Sequence, residues 1–191
     1  MRYQALAIAV LSARGVYCAA SVEPVYSKAD AIADSAIVGV WRSPGDTIAA
    51  DSTVIERASP SNSADKEYLL TMYSSDGIER EDLYLTRIGG LVFADVYPTK
   101  ENDSWNSIPL HAIFLGRPER DRITIHAIDA QWLQKYSATH PKEIRVETIK
   151  SIVFFHDSTA RVRSFLANHQ NSGLWDADSM VLVRAPVPGT R

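Results

Sequence analysis

The chain has 191 residues, 46% hydrophobic and 23% charged, with a net charge of −3. That is room for one globular domain with a buried core, and the mild acidity argues against nucleic acid and anionic membrane as main partners. No stretch approaches the ~20 apolar residues of a spanning helix, so no transmembrane span is expected, and no repeat of about 20–50 residues suggests a solenoid or propeller.

Arg2, the apolar run ALAIAVLSA (5–13) and the small residues of VYCAAS have the layout of a secretory signal peptide. Residues 1–20 are assigned to it, with Cys18 and Ala20 as the small residues before the cut. This predicts a periplasmic or secreted protein. Removing that segment takes away Arg2 and Arg14 and no acid, which moves the net charge from −3 to −5. Cys18 is the only cysteine. Lipid anchoring through Cys18 is the alternative, and bulky Tyr17 before it counts against that. A chain cut after Ala20 has no disulfide, no thiol nucleophile and no thiolate metal site.

Residues 21–35 (SVEPVYSKADAIADS) are small and polar and read as a linker or a short Ala-rich helical turn. The domain is expected over 36–185, with a tail at 186–191. It begins with IVGVWRSPGD (37–46), an apolar run broken by Gly39 and ended by a Ser-Pro-Gly turn. STVIER (52–57) and KEYLLTMY (66–73) are β-branched or aromatic strands, and SSDG (74–77) is a turn. IEREDLYLTRI (78–88) and LVFADVYP (91–98) flank Gly89-Gly90, a tight-hairpin signal. Leu83, Leu85 and Arg87 share one face of the first strand. In the second, Leu91, Phe93, Asp95 and Tyr97 alternate with Val92, Ala94 and Val96.

After the loop 99–107, IPLHAIFLG (108–116) and RITIHAI (122–128) flank a charged turn. DAQWLQKY (129–136) reads as a short helix with Asp129 at its N-cap. RVETIK and SIVFFH (145–156) form another strand pair. DSTARVRSFLANHQ (157–170) is an amphipathic helix, capped by Asp157 or Ser158, with Val162, Phe165, Leu166 and His169 on one face. SMVLVRA (179–185) is a last strand. The sum is a mainly β domain of about eight to ten antiparallel strands, which barrel closure would rid of exposed edges, with a middle and a C-terminal helix.

Gly39-x-Trp41 at the start of the first barrel strand resembles the Gly-x-Trp signature of lipocalin-like (calycin) barrels. That resemblance implies that Trp41 closes the narrow end and that a basic side chain from late in the chain packs over its ring. Arg184 is the candidate, with Arg161 or Arg163 behind it; Gly39, Trp41 and Arg184 would form the closure. The segment LYLTRIGGLVFADVYP, with PLHAIFLG, RITIHAIDAQWLQKY and the late helix, is similar to a group of uncharacterised bacterial envelope proteins thought to hold such a barrel. This implies a fold and a compartment, and no activity.

The ligand-binding candidates are Trp41, Phe93, Asp95, Tyr97, His111 and Trp132, for a small hydrophobic molecule inside the barrel. Trp105 and Tyr136 are further rings that could line a mouth. The alternative is an envelope structural or protein-interaction module with a solid barrel core and an envelope protein as partner. No catalytic residue, cofactor or metal is assigned. His111, His126 and His156 lie in separate apolar strands without ligand spacing. Asp95 is expected to pair, with Arg87 across the hairpin as one partner; a catalytic role would need a strand histidine within hydrogen-bond reach in a pocket. Glu79, Glu81 and Asp82 read as a solvated acidic run.

Overall fold

The computed structural model of the chain describes residues 19–44, 52–59, 61, 66–74, 77–99, 110–149 and 152–185. Residues 1–18 with Cys18, the loop residue Trp105 and the tail 186–191 lie outside that set.

The meander expected from alternation is present. The strands β3 (Gly39–Arg42), β4 (Ser52–Arg57), β5 (Glu67–Ser74), β6 (Gly77–Ile88), β7 (Leu91–Pro98), β8 (His111–Pro118) and β9 (Arg122–Ile128) pair each with the next, except that β3 meets β9 through β12 (Trp175–Arg184). Because β8 also pairs with β9, these eight strands close on themselves as an antiparallel barrel. The β6–β7 hairpin turns at Gly89 and Gly90, whose φ values of 57° and 89° are both left-handed, the geometry of a two-residue primed turn. Its register runs from Ile88 opposite Leu91 to Glu81 opposite Pro98 without a slip.

Residues 21–35 are not a free linker. They carry the end of β1 (Ala19–Ser21), all of β2 (Ala31–Ile32) and the start of a 3-10 turn at Ser35–Ile37. β1 lies parallel to β11 (Ile152–Phe155) and antiparallel to β8, and β10 (Val146–Ile149) pairs with β11, so a small wing of sheet branches from β8. β2 takes the edge of β6 beyond the end of β5 (Ala31 opposite Thr86). Composition hid this, because small and polar residues suffice where the backbone does the bonding.

The two helices form close to where their caps and periods put them. In α1 (Ala130–Thr139) the Asp129 carboxylate accepts from the N–H groups of Gln131 and Trp132, both at 2.9 Å. In α2 (Thr159–Asn168) neither expected cap bonds the helix through its side chain. Asp157 instead accepts from the Arg145 N–H at 2.9 Å and lies 3.6 Å from Arg161, which ties the helix start to the wing.

The core is double. One cluster, with Trp41, Ile55, Tyr68, Leu83, Leu85, Val96, Ile123 and Leu182, lies inside the barrel. The other lies outside it, where Phe93, Ile113, Leu115 and Ile128 of the wall meet Leu133 of α1, Val162, Phe165 and Leu166 of α2, and Phe155 of β11. A fully buried side chain of this kind contributes about 1.5–3 kcal/mol. The amphipathic C-terminal helix is thus a cover for the outer wall of β6–β9.

Candidate functional site

The end of the barrel at the start of β3 is sealed. Trp41 is 0% exposed, and its indole Nε1 donates to the Ile37 carbonyl at 2.7 Å. Arg184, directly across the β3–β12 ladder, sets its guanidinium carbon 4.4 Å from the centre of the Trp41 rings. The same guanidinium donates to the carbonyls of Ala36 (2.7 Å), Val38 (2.9 Å) and Arg120 (3.2 Å). It therefore ties the 3-10 turn, the β8–β9 turn and the last strand into one cap over the indole, with a cation–π contact of about 0.5–2 kcal/mol beneath. Gly39 has a φ of 143°, and a Cβ there would fall 2.5 Å from Arg184 Nη1, so only glycine admits the guanidinium. Arg161 and Arg163 sit elsewhere: Arg163 holds Asp30 at 2.9 Å and the Val25 carbonyl at 2.7 Å, and Arg161 lies beside Asp157.

Away from that seal the interior changes. Ala94, Ala112, Phe114, Ile125 and Met180 pack with the inner cluster yet stay only half-buried. Their chain neighbours locate the reason. Ala94 stands between Phe93 and Asp95, both 0% exposed on the outer face. Phe114 stands between Ile113 and Leu115, which are buried under the helices. Solvent that touches Ala94 and Phe114 reaches them from inside the barrel. The small inward residues Ala94, Ala112 and Gly116 on two adjacent strands leave that space.

Glu81 belongs to this interior, which corrects its reading as part of a solvated run. The β6 alternation that points Leu83 and Leu85 inward places Glu81 and Glu79 on the same face, opposite Leu70 and Met72 of β5. Glu81 is 7% exposed and has no hydrogen-bond or ion-pair partner among the described residues. Burial first, then the charges of Glu79 and Asp82, push its carboxyl up to about 7. Burial raises Glu79 as well. A carboxyl whose folded-state value lies above its unfolded one adds stability fully below the ordinary carboxylate range. That contribution is lost as pH rises through about 7.

The other candidates do not line the lumen. Phe93, Asp95 and Tyr97 project from the outer face of β7, opposite in sense to Val92, Ala94 and Val96. The alternation of β7 was right; its sense was not, because the outer wall is covered and apolar too. Asp95 does not pair with Arg87. Its Oδ1 lies 2.6 Å from His111 Nδ1 and its Oδ2 accepts from the Val25 N–H at 2.8 Å. His111 packs against Tyr97, with ring centres 4.4 Å apart. Beside them Tyr26 stacks on Tyr84 at 3.9 Å. Burial, then the Asp95 charge, push the Tyr26 hydroxyl up to about 12.

A carboxylate that orients a histidine is a geometry known from acid–base sites. Here both carboxylate oxygens are used, one on the histidine and one on the backbone of residue 25, so the pair fastens the N-terminal strap to the wall. Trp132 stands apart again, stacked on Tyr136 (4.8 Å) and near Phe165 under α2. His126 lies on the outer face of β9, and His156 pairs with Glu147 on the wing. No group of three metal-ligating side chains converges among the described residues.

The geometry defines the class: a closed antiparallel barrel, sealed at one end by an indole under a guanidinium, with inward-facing Ala94 and Phe114 only half-buried. Comparison of the chain with known protein families, with curated proteins and with solved structures returns no match. No helix among the described residues is long and apolar enough to cross a membrane.

Proposed function

We propose that the chain is an exported, lipocalin-like barrel that holds a small hydrophobic molecule in its lumen. One observation carries the binding part: inward-facing Ala94 and Phe114 are solvent-accessible while the residues flanking them are buried on the outer wall. Apolar walls with one or two polar groups are the usual make-up of a small-molecule site. Export is supported by the basic and apolar layout of residues 1–20, and it puts the protein in the periplasm or outside the cell. The alternative, an interaction module, rests on exposed Tyr73 and Ile78, a single cross-strand pair on the outer face of the barrel.

The test is fluorescence titration of the full chain with the apolar fluorophore N-phenylnaphthylamine, for the natural sequence and for Ala94→Phe. The larger ring fills the space beside Phe114. Binding should weaken at least roughly tenfold, while stability changes by no more than the ~1–3 kcal/mol of overpacking. Equal binding by the two proteins, or none by the natural one, contradicts the proposal.

A further inference from the structure

Inside this apolar lumen one group is out of place. Glu81 is 7% exposed, and it has no hydrogen-bond or ion-pair partner among the described residues. Carboxylates buried without a partner are costly and are retained where something else satisfies them. Among the described neighbours of Glu81, those on its own strand include Glu79, facing the same way, and Asp82, facing out; both are negative. Across β5 its face shows Leu70 and Met72, and across β7 it shows Val96 and Pro98. The inward base on β4, Arg57, lies over the ring of Tyr68. Outward-facing Arg80 is the one described base beside Glu81 on its strand; the charges that raise the carboxyl are those of Glu79 and Asp82, and the side chains facing it across both ladders are apolar.

We infer that the lumen ligand is an amphiphile with a protonated amine, whose ammonium docks on Glu81 with Glu79 beside it and whose hydrocarbon lies along Leu70, Ala94, Phe114 and Met180. The inference rests on the proposal that the lumen binds an apolar molecule, and adds the charge of its head. An ammonium supplies the missing counter-charge and donates charge-assisted hydrogen bonds to both carboxylate oxygens. An acid or a phosphate head would meet the like charges of Glu79 and Glu81, which disfavour it. A neutral alcohol donates its O–H to ionised Glu81 or accepts from the protonated acid, so its binding should change little with pH while that of the ammonium should rise with it.

The experiment displaces N-phenylnaphthylamine from the full chain with decylamine and with decanol, at about pH 6 and at about pH 8, between which a decylammonium stays charged. Decylamine should compete roughly 10- to 100-fold better than decanol at the higher pH, the scale of a hydrogen bond to a charged group. Its advantage should shrink at the lower pH as Glu81 takes a proton. Glu81→Gln should cut the decylamine-to-decanol preference roughly tenfold or more and remove most of its pH dependence, the ratio of the two competitors cancelling any change in fluorophore binding. The pH series on the natural chain gives the answer even if that variant fails to fold. Equal competition by amine and alcohol at both pH values, with the fluorophore bound, overturns the amine inference alone. Absence of fluorophore binding overturns the lumen proposal and the inference with it.

Discussion

Replacing Trp41 by alanine is expected to lower the unfolding free energy of the chain by about 3–5 kcal/mol. The indole is wholly buried and walled by Ile37, Ile55, Tyr68, Leu83 and Leu182, so removing it leaves a cavity that a closed barrel cannot collapse into. The loss does not stop at packing. The Ile37 carbonyl loses its indole donor, and the Arg184 guanidinium loses the ring on which it lies. Urea unfolding of the natural chain, Trp41→Ala, Arg184→Met and the double variant measures the coupling directly. The two single losses should sum to more than the double loss by about 0.5–2 kcal/mol. A stability change under about 1 kcal/mol for Trp41→Ala would show that the indole is not the seal.

Asp95→Ala is expected to cost a similar ~3–5 kcal/mol, for an electrostatic reason. The carboxylate is fully buried and holds both the His111 ring and the Val25 N–H. Without it, the Val25 N–H and the part-buried His111 ring lose their acceptor, and the strap from Val22 to Asp30 keeps Arg163, Thr159, the Tyr26–Tyr84 stack, the Val22 bond to Phe155 and the Lys66 bond to Ala29 as fastenings. Asp95→Asn preserves volume but sets an amide N–H against one of those donors, so it should recover only part of the loss. Hydrogen exchange gives the local readout: the Val25 amide should lose its protection in Asp95→Ala while amides in the β6–β7 hairpin keep theirs. Unchanged protection at Val25 would mean that the pair does not hold the strap.

What could be read from the residues follows from where the physics is local. Gly89-Gly90 between two alternating runs specifies a hairpin by itself, since the required φ values suit glycine alone. Asp129 before an apolar helical period specifies a cap. The hairpins and their alternation were enough for an antiparallel barrel with two helices. Alternation, however, gives two faces without naming the inner one. On β7 both faces are apolar, because the inner meets the lumen and the outer meets α1, α2 and the wing. Phe93, Asp95 and Tyr97, expected around a molecule inside the barrel, stand on the outer face of β7.

The Asp95–His111 pair depends on the register of β7 against β8, where Asp95 faces Ile113 and His111 is its diagonal neighbour. The intervening loop gives no hint of that register. Glu81 was findable. The rule that aligned Leu83 with Leu85 runs back through Glu81 and Glu79, and only the local density of acids made the segment look solvated.

On the proposed function, a small apolar molecule meets the barrel interior and not its covered outer wall. Methyl-resolved NMR of the full chain titrated with N-phenylnaphthylamine tests it most directly. The account predicts shifts at the methyl groups of Ala94, Ala112, Ile125 and Met180, with Ile113, Leu115 and Ile128 unmoved. Shifts confined to those outer-wall methyls, or none at the inner ones at saturation, would contradict it.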